Sequence, residues 1–193
     1  ERIYFASPDS IVGNKTVYTY RKSLGFELAN ENKISADVVV PIPDSGVSAA
    51  LGFSQKSSIP FELGIIRSHY VGRTFIEPSQ TIRQFGVKLK HSVNRSCIED
   101  KRVILIDDSI VRGTTASKIV KMVYEAGAKE VHLGISCPPI KHPDFYGIDT
   151  PNYNELIASK SNIEEMTELV GAKSLFFLSL DGTYRAMGYN ERN

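Results

Sequence analysis

An open, parallel α/β sheet is the fold class this sequence predicts, and three observations carry the expectation. Short apolar runs occur at residues 37–42 (DVVVPI), 103–107 (VILID) and 131–136 (VHLGIS), as expected of strands buried on both faces. The first two runs are followed by turn residues and then by apolar side chains at helical spacing. Strand and helix therefore alternate, and such an order builds a parallel sheet through right-handed crossovers. At 193 residues the expectation is one domain, spanning 1–193, long enough to bury a good core.

Taken in order, residues 18–31 place Tyr20, Leu24 and Leu28 near one helical face. The strand at 37–42 closes on Pro43-Asp44-Ser45-Gly46, and Ala49, Ala50 and Phe53 predict a helix after that turn. Residues 61–67 (FELGIIR) form a second strand candidate. Residues 68–86 are polar and contain glycine, and read as a long mobile loop; such length inside a compact domain marks function or disorder. The strand at 103–107 leads into a helix over 115–126 with Ile119, Val120, Val123 and Ala126 on its inner side, ended by Gly127. Val131–Ser136 is a further strand. After Pro138-Pro139 the pattern loosens, with a short helix over 162–170 and a final strand over 175–180 (LFFLSL). Residues 1–30 and 138–193 read as flanking elements that form a small cap over the sheet.

Composition narrows the partners. Hydrophobic residues make up 41% and charged residues 23%, ordinary for a globular protein. Lys plus Arg is 23 against 22 for Asp plus Glu, so a net charge of +1 offers no case for nucleic acid or a membrane surface. Local charge says more: Arg83, Lys88, Lys90 and Arg95 fall close together. No apolar run approaches the roughly 18 residues of a membrane helix, and no signal-peptide pattern opens the chain. Cys97 and Cys137 form neither a disulfide framework nor a metal spacing, and read as reduced thiols of a cytoplasmic protein. His69, His91, His132 and His142 likewise lack a metal-ligand spacing. The first residue is Glu1 rather than Met, so a processed or truncated product is expected.

The densest chemistry lies in Val103–Thr115, VILIDDSIVRGTT. A buried strand ends in Asp107 and Asp108, then Arg112-Gly113-Thr114-Thr115 opens a helix. Ligands of open α/β sheets bind at the carboxyl ends of strands, and the free N–H groups of a helix start suit a phosphate. Carboxylates beside a phosphate cradle would repel the ligand unless a cation or sugar hydroxyls intervene. The segment thus proposes a phosphorylated sugar with Mg²⁺. Pro43-Asp44-Ser45-Gly46 is less specific; from composition alone it reads equally as a β-turn or as a ligand loop.

Val103–Thr115 resembles the phosphoribosylpyrophosphate (PRPP) motif of type I phosphoribosyltransferases. Together with Tyr70-Val71-Gly72-Arg73-Thr74-Phe75-Ile76 and Phe145-Tyr146-Gly147-Ile148-Asp149-Thr150-Pro151, in that order, it resembles the glutamine PRPP amidotransferases. The likeness covers nearly the whole chain, but only the C-terminal part of that family's full protein. It implies a type I phosphoribosyltransferase-like parallel sheet flanked by helices. It also implies transfer of ammonia to PRPP, giving 5-phosphoribosylamine and diphosphate, the first step of de novo purine synthesis.

By that resemblance, Asp107 and Asp108 grip the ribose hydroxyls and, with Ser45, belong to the Mg²⁺ environment. Ser109, Arg112, Gly113, Thr114 and Thr115 receive the 5′-phosphate, and Asp44, Ser45 and Gly46 face the diphosphate. Arg67, Arg73 and Lys90 are the cations expected near the leaving group, and Tyr70 is a lid residue. Family members commonly carry Lys-Asn-Arg before the YVGRTFI motif, where this chain has Arg67-Ser68-His69. A guanidinium thus replaces an ammonium, and a titratable ring replaces a fixed charge.

The family's N-terminal glutaminase, with its Cys nucleophile, is expected to be absent from these residues. No iron–sulfur cluster is expected either, since two cysteines cannot supply four thiolates. A homo-oligomer, tetrameric by resemblance, and inhibition by purine nucleotides complete the expectations. The alternatives are a purine or pyrimidine salvage phosphoribosyltransferase, or a non-catalytic PRPP-binding regulator. The second would want a DNA-binding element, which the sequence does not display.

Overall fold

The computed structural model describes residues 2–67, 91–144 and 152–189. A small antiparallel hairpin, β1 (Ile11–Val12) and β2 (Lys15–Thr16), leads into helix α1 (Val17–Glu31). Thr16 caps α1, its hydroxyl accepting from the Thr19 N–H at 3.3 Å. Tyr20, Leu24 and Leu28 face inward as their spacing predicts. Strand β3 (Val38–Pro41), helix α2 (Val47–Ser57), strands β4 (Ile65–Arg67) and β5 (His91–Val93), and the single turn α3 (Arg95–Ile98) follow. Then come β6 (Arg102–Asp107), α4 (Thr114–Glu125) and β7 (Glu130–Ile135). The C-terminal part holds a 3₁₀ turn at Tyr153–Glu155, α5 (Ile157–Lys160), α6 (Ile163–Val170), β8 (Ser174–Phe177) and α7 (Leu180–Met187).

Among the described residues the central sheet has four parallel strands in the order β3-β6-β7-β8. Its middle strands are apolar because both faces are covered. One face packs Val103, Leu105, Val131 and Leu133 against Ile119, Val120 and Val123 of α4 and Met166 and Val170 of α6. The other packs Val39, Ile104 and Ile106 against Leu24 and Leu28 of α1 and Ala49, Ala50 and Phe53 of α2. Phe53 is fully buried, so truncation to Ala would cost about 3–5 kcal/mol. Helices α1 and α2 lie so close that a Cβ on Gly25 would come within 1.8 Å of the Ala49 carbonyl oxygen. Among the described residues no helix is long and apolar enough to cross a membrane.

Three expectations are revised. The strand expected over 61–67 divides: Phe61 bridges the sheet edge at Val39, while Ile65–Arg67 pairs antiparallel with His91–Val93. Gly64 marks the break, where a Cβ would press on the Ile98 and Val40 side chains at 2.9–3.1 Å. The strand expected over 175–180 ends at Phe177, because Ser179 caps a helix, its hydroxyl accepting from the Gly182 N–H at 2.8 Å. The terminal segments do not simply cap the sheet. β8 is one of its strands, and α7 packs on α1, where Arg185 donates to Glu27 at 2.9 Å and to Glu31 at 2.6 Å. The expected loop at 68–86 lies outside the described residues.

Candidate functional site

Strand β6 runs apolar for four buried residues and then places two acids at its carboxyl end. The Asp107 side chain accepts from the Asp108 N–H at 2.9 Å, and the Ser109 hydroxyl donates to Asp108 Oδ1 at 3.0 Å. Asp108 is only 5% exposed, and its Oδ2 has no hydrogen-bond partner among the described residues. A buried acceptor without a partner is costly unless something else completes it. Burial, and then the neighbouring Asp108 carboxylate, push Asp107 well above the usual carboxylate range. Burial raises Asp108 as well, while hydroxyls of Ser109 and Ser45 and the charge of Arg21 pull it back.

Beyond the acids, the chain turns through residues 109–113 into α4. Gly113 sits at φ +75° as the N-cap, a conformation side chains disfavour, and no side chain caps the helix. The first N–H groups of α4 are therefore available to an anion. The loop is backed by the C-terminal segment: the Ile157 N–H donates to the Val111 carbonyl at 2.9 Å, and Arg112 pairs with Glu155.

The turn after β3 faces this loop. Its Ile42 N–H donates to the Ile106 carbonyl at 2.9 Å, joining the turn to the end of β6. A Cβ on Gly46 would lie 2.3 Å from that same oxygen, so only glycine lets the turn approach this closely. The Pro43–Asp44 peptide bond is cis. Arg67, at the end of β4, pairs with Asp44 and so ties the end of that strand to this turn.

These elements enclose a cleft of about 510 Å³ at the carboxyl edge of the sheet. Ser45, Asp107, Asp108, Ser109, Arg112, Gly113, Thr114 and Thr115 line it. Asp44 and Gly46 shape the turn without lining the cleft, and Arg67 is joined to it through Asp44. Tyr70, Arg73 and Lys90 lie outside the described residues. Besides apolar wall residues, the sequence does not point to Tyr4 and His91 in the lining, nor to the Arg112–Glu155 pair. His91 adjoins Lys90 at the loop's end, and that position was the available signal; Tyr4 carries no motif.

The oxygen donors suit a hard cation. Among the described residues no cluster of three or more His, Cys, Asp or Glu could hold a metal. Mg²⁺ does not need one: it takes one or two carboxylates and completes its shell with water and substrate phosphates. The unpartnered Asp108 Oδ2 fits such a ligand. Cys137 is buried beneath the site, and burial raises its thiol, in keeping with a packing role.

Comparison with known proteins agrees with this geometry. Residues 22–147 match the phosphoribosyl transferase domain. The chain is 61% identical over its whole length to the amidophosphoribosyltransferase of Rhizobium etli, of which it covers 39%. It is 54% identical to the chloroplastic amidophosphoribosyltransferase of Glycine max, covering 34% of it. A solved structure of the Bacillus subtilis glutamine PRPP amidotransferase, complexed with ADP and GMP, superposes with a TM-score of 0.90 at 51% identity. That match covers all of this chain and 42% of the other. The chain thus spans about a third to two fifths of the relatives it matches, aligning with their C-terminal part. A parallel sheet with an acid pair and a helix start at its carboxyl edge, matched over most of its length, makes this chain a member of the phosphoribosyl transferase domain family.

Proposed function

We propose that the cleft binds PRPP with Mg²⁺ and that the chain is the phosphoribosyl-transferring part of an amidophosphoribosyltransferase. Its reaction joins ammonia to PRPP, giving 5-phosphoribosylamine and diphosphate, at the start of purine synthesis. The observation that carries this reading is the meeting, in one cleft, of a buried acid with an unpartnered oxygen and an uncapped helix start. The first asks for sugar hydroxyls or a cation, the second for a phosphate. Relatives at 61% and 54% identity named amidophosphoribosyltransferase favour ammonia over a salvage base, and catalysis over a non-catalytic regulator.

In this reading Asp107 and Asp108 hold the ribose hydroxyls, and Ser109, Arg112, Gly113, Thr114 and Thr115 receive the 5′-phosphate. The turn at Asp44–Gly46 accommodates the diphosphate. The C1–O bond to diphosphate breaks as the C1–N bond forms, and ammonia releases a proton. Arg67, and from the undescribed segment Arg73 and Lys90, supply positive charge to the departing diphosphate, with Tyr70 in a lid that excludes water. Mg²⁺, when bound through the acid pair and Ser45, would offset the negative charge of the diphosphate. A glutaminase domain outside these residues would deliver the ammonia in a cytoplasmic homotetramer.

The test is PRPP-dependent diphosphate release with one nucleophile at a time. Release with ammonium at high pH, and none with glutamine alone or with purine and pyrimidine bases, is expected. Turnover with a base would overturn the reading in favour of salvage. Glutamine-driven turnover with glutamate release would overturn the placement of the glutaminase elsewhere.

A further inference from the structure

Arg21 is a buried charge that the chemistry above does not use. It is only 5% exposed, on the inner side of α1 among Val17, Tyr20, Leu24 and Leu28. A cation so placed is costly unless its donors are satisfied and an opposite charge is near. Its guanidinium donates Nη2 to the Ala6 carbonyl at 2.7 Å and Nε to the Arg2 carbonyl at 3.3 Å. The opposite charge is Asp108, whose field reaches it.

The segment it grips forms turns rather than a helix or strand, and is anchored besides by Ile3 packing on the core. A second tie lies one residue earlier on α1, where the Arg2 guanidinium sits 4.6 Å from the centre of the Tyr20 ring. Between the two gripped carbonyls is Tyr4, which lines the cleft beside the acid pair and the phosphate loop while remaining 57% exposed. An irregular segment thus brings an aromatic side chain to the ligand site, and one buried fork holds both its ends.

We propose that Arg21 is a positioning residue for the cleft: by stapling the Arg2–Ala6 backbone to α1, it holds Tyr4 as a wall against the phosphorylated sugar. The inference rests on the proposed reading of the cleft. Lysine would not substitute, since a single ammonium lacks the fork that reaches two carbonyls.

The experiment is calorimetric titration of Mg²⁺–PRPP into the full chain, its Arg21→Lys, Arg21→Met and Tyr4→Ala variants, and the Arg21→Lys/Tyr4→Ala double variant. Hydrogen exchange of residues 2–6 and thermal unfolding are followed alongside. Arg21→Lys keeps the buried charge but loses the fork, so it should unfold a few degrees below the wild type while staying folded at the titration temperature. It should bind about tenfold more weakly and exchange faster at residues 2–6. Tyr4→Ala should weaken binding by a similar factor, and the double variant no further than either single one, because both act through one wall. Additive losses, or wild-type affinity in Arg21→Lys, would overturn the positioning role. Should Arg21→Met fail to fold, the lysine variant and the double variant still decide. Absence of PRPP binding in the wild type is a distinct result: it removes the assignment of the cleft, and this inference with it.

Discussion

Asp108→Asn should make the ligand-free chain more stable and the ligand harder to bind. Asp108 is 5% exposed, its Oδ2 has no hydrogen-bond partner among the described residues, and Asp107 stands beside it. Burial raises both acids, so the charged pair works against folding when no ligand is present. Asparagine keeps the shape and the oxygen that accepts from the Ser109 hydroxyl, while removing one charge. That relief, less the attraction Asp108 exerts on the buried Arg21, is worth about 1 kcal/mol, or a rise in Tm of roughly 2–4 °C for a chain of this size. The same substitution removes a carboxylate facing the sugar hydroxyls and Mg²⁺, weakening PRPP about tenfold to hundredfold. Thermal unfolding with and without Mg²⁺–PRPP reads both effects. Wild type should gain stability from the ligand by mass action, and the variant should start higher and gain little. A lower Tm in the ligand-free variant, or an undiminished gain with ligand, would refute the reasoning.

Three further outcomes follow from the same geometry. Because the folded pKa values of Asp107 and Asp108 are raised, their stabilising contribution is complete below the ordinary carboxylate value and lost as pH rises through the raised one. The stability of wild type minus that of Asp107→Asn/Asp108→Asn, from denaturant titrations across that window, should therefore fall with pH; a flat or rising difference counts against it. Gly113→Ala forces a side chain onto φ +75° and to 2.9 Å from the Ile157 Cδ1, which should cost about 1–2 kcal/mol and weaken PRPP, as read by urea midpoints and calorimetry. Arg67→Ala breaks an exposed ion pair with Asp44, so unfolding should move by less than about 1 kcal/mol while diphosphate release slows more than about tenfold; a large stability loss without a rate effect would make Arg67 structural.

What could be read in advance depended on how local the signal was. The strands β3, β6 and β7 were legible because burial on both faces leaves an unbroken apolar run. The acid pair and the Arg112–Thr115 loop were legible because their residues are adjacent in sequence. Helix α7 was not, since Leu180 continues the apolar run of LFFLSL and the decisive signal is a single cap at Ser179. The division of 61–67 turns on the packing of Gly64 against Val40 and Ile98, contacts that periodicity does not encode. Arg21 sits at an inner helical position where a charge reads as an exception to the pattern. Its partners at Arg2 and Ala6 are 19 and 15 residues away, set by the fold rather than by spacing. Glu155 meets Arg112 for the same reason, through the C-terminal segment that folds back on the phosphate loop.

The most direct measurement is calorimetric titration of PRPP into the chain in the presence of Mg²⁺, compared with Asp107→Asn/Asp108→Asn at the same pH and ionic strength. A PRPP site at the carboxyl ends of β3 and β6 predicts saturable binding of one PRPP per chain, lost in the double variant while its fold persists. Equal affinity in the two proteins would contradict it.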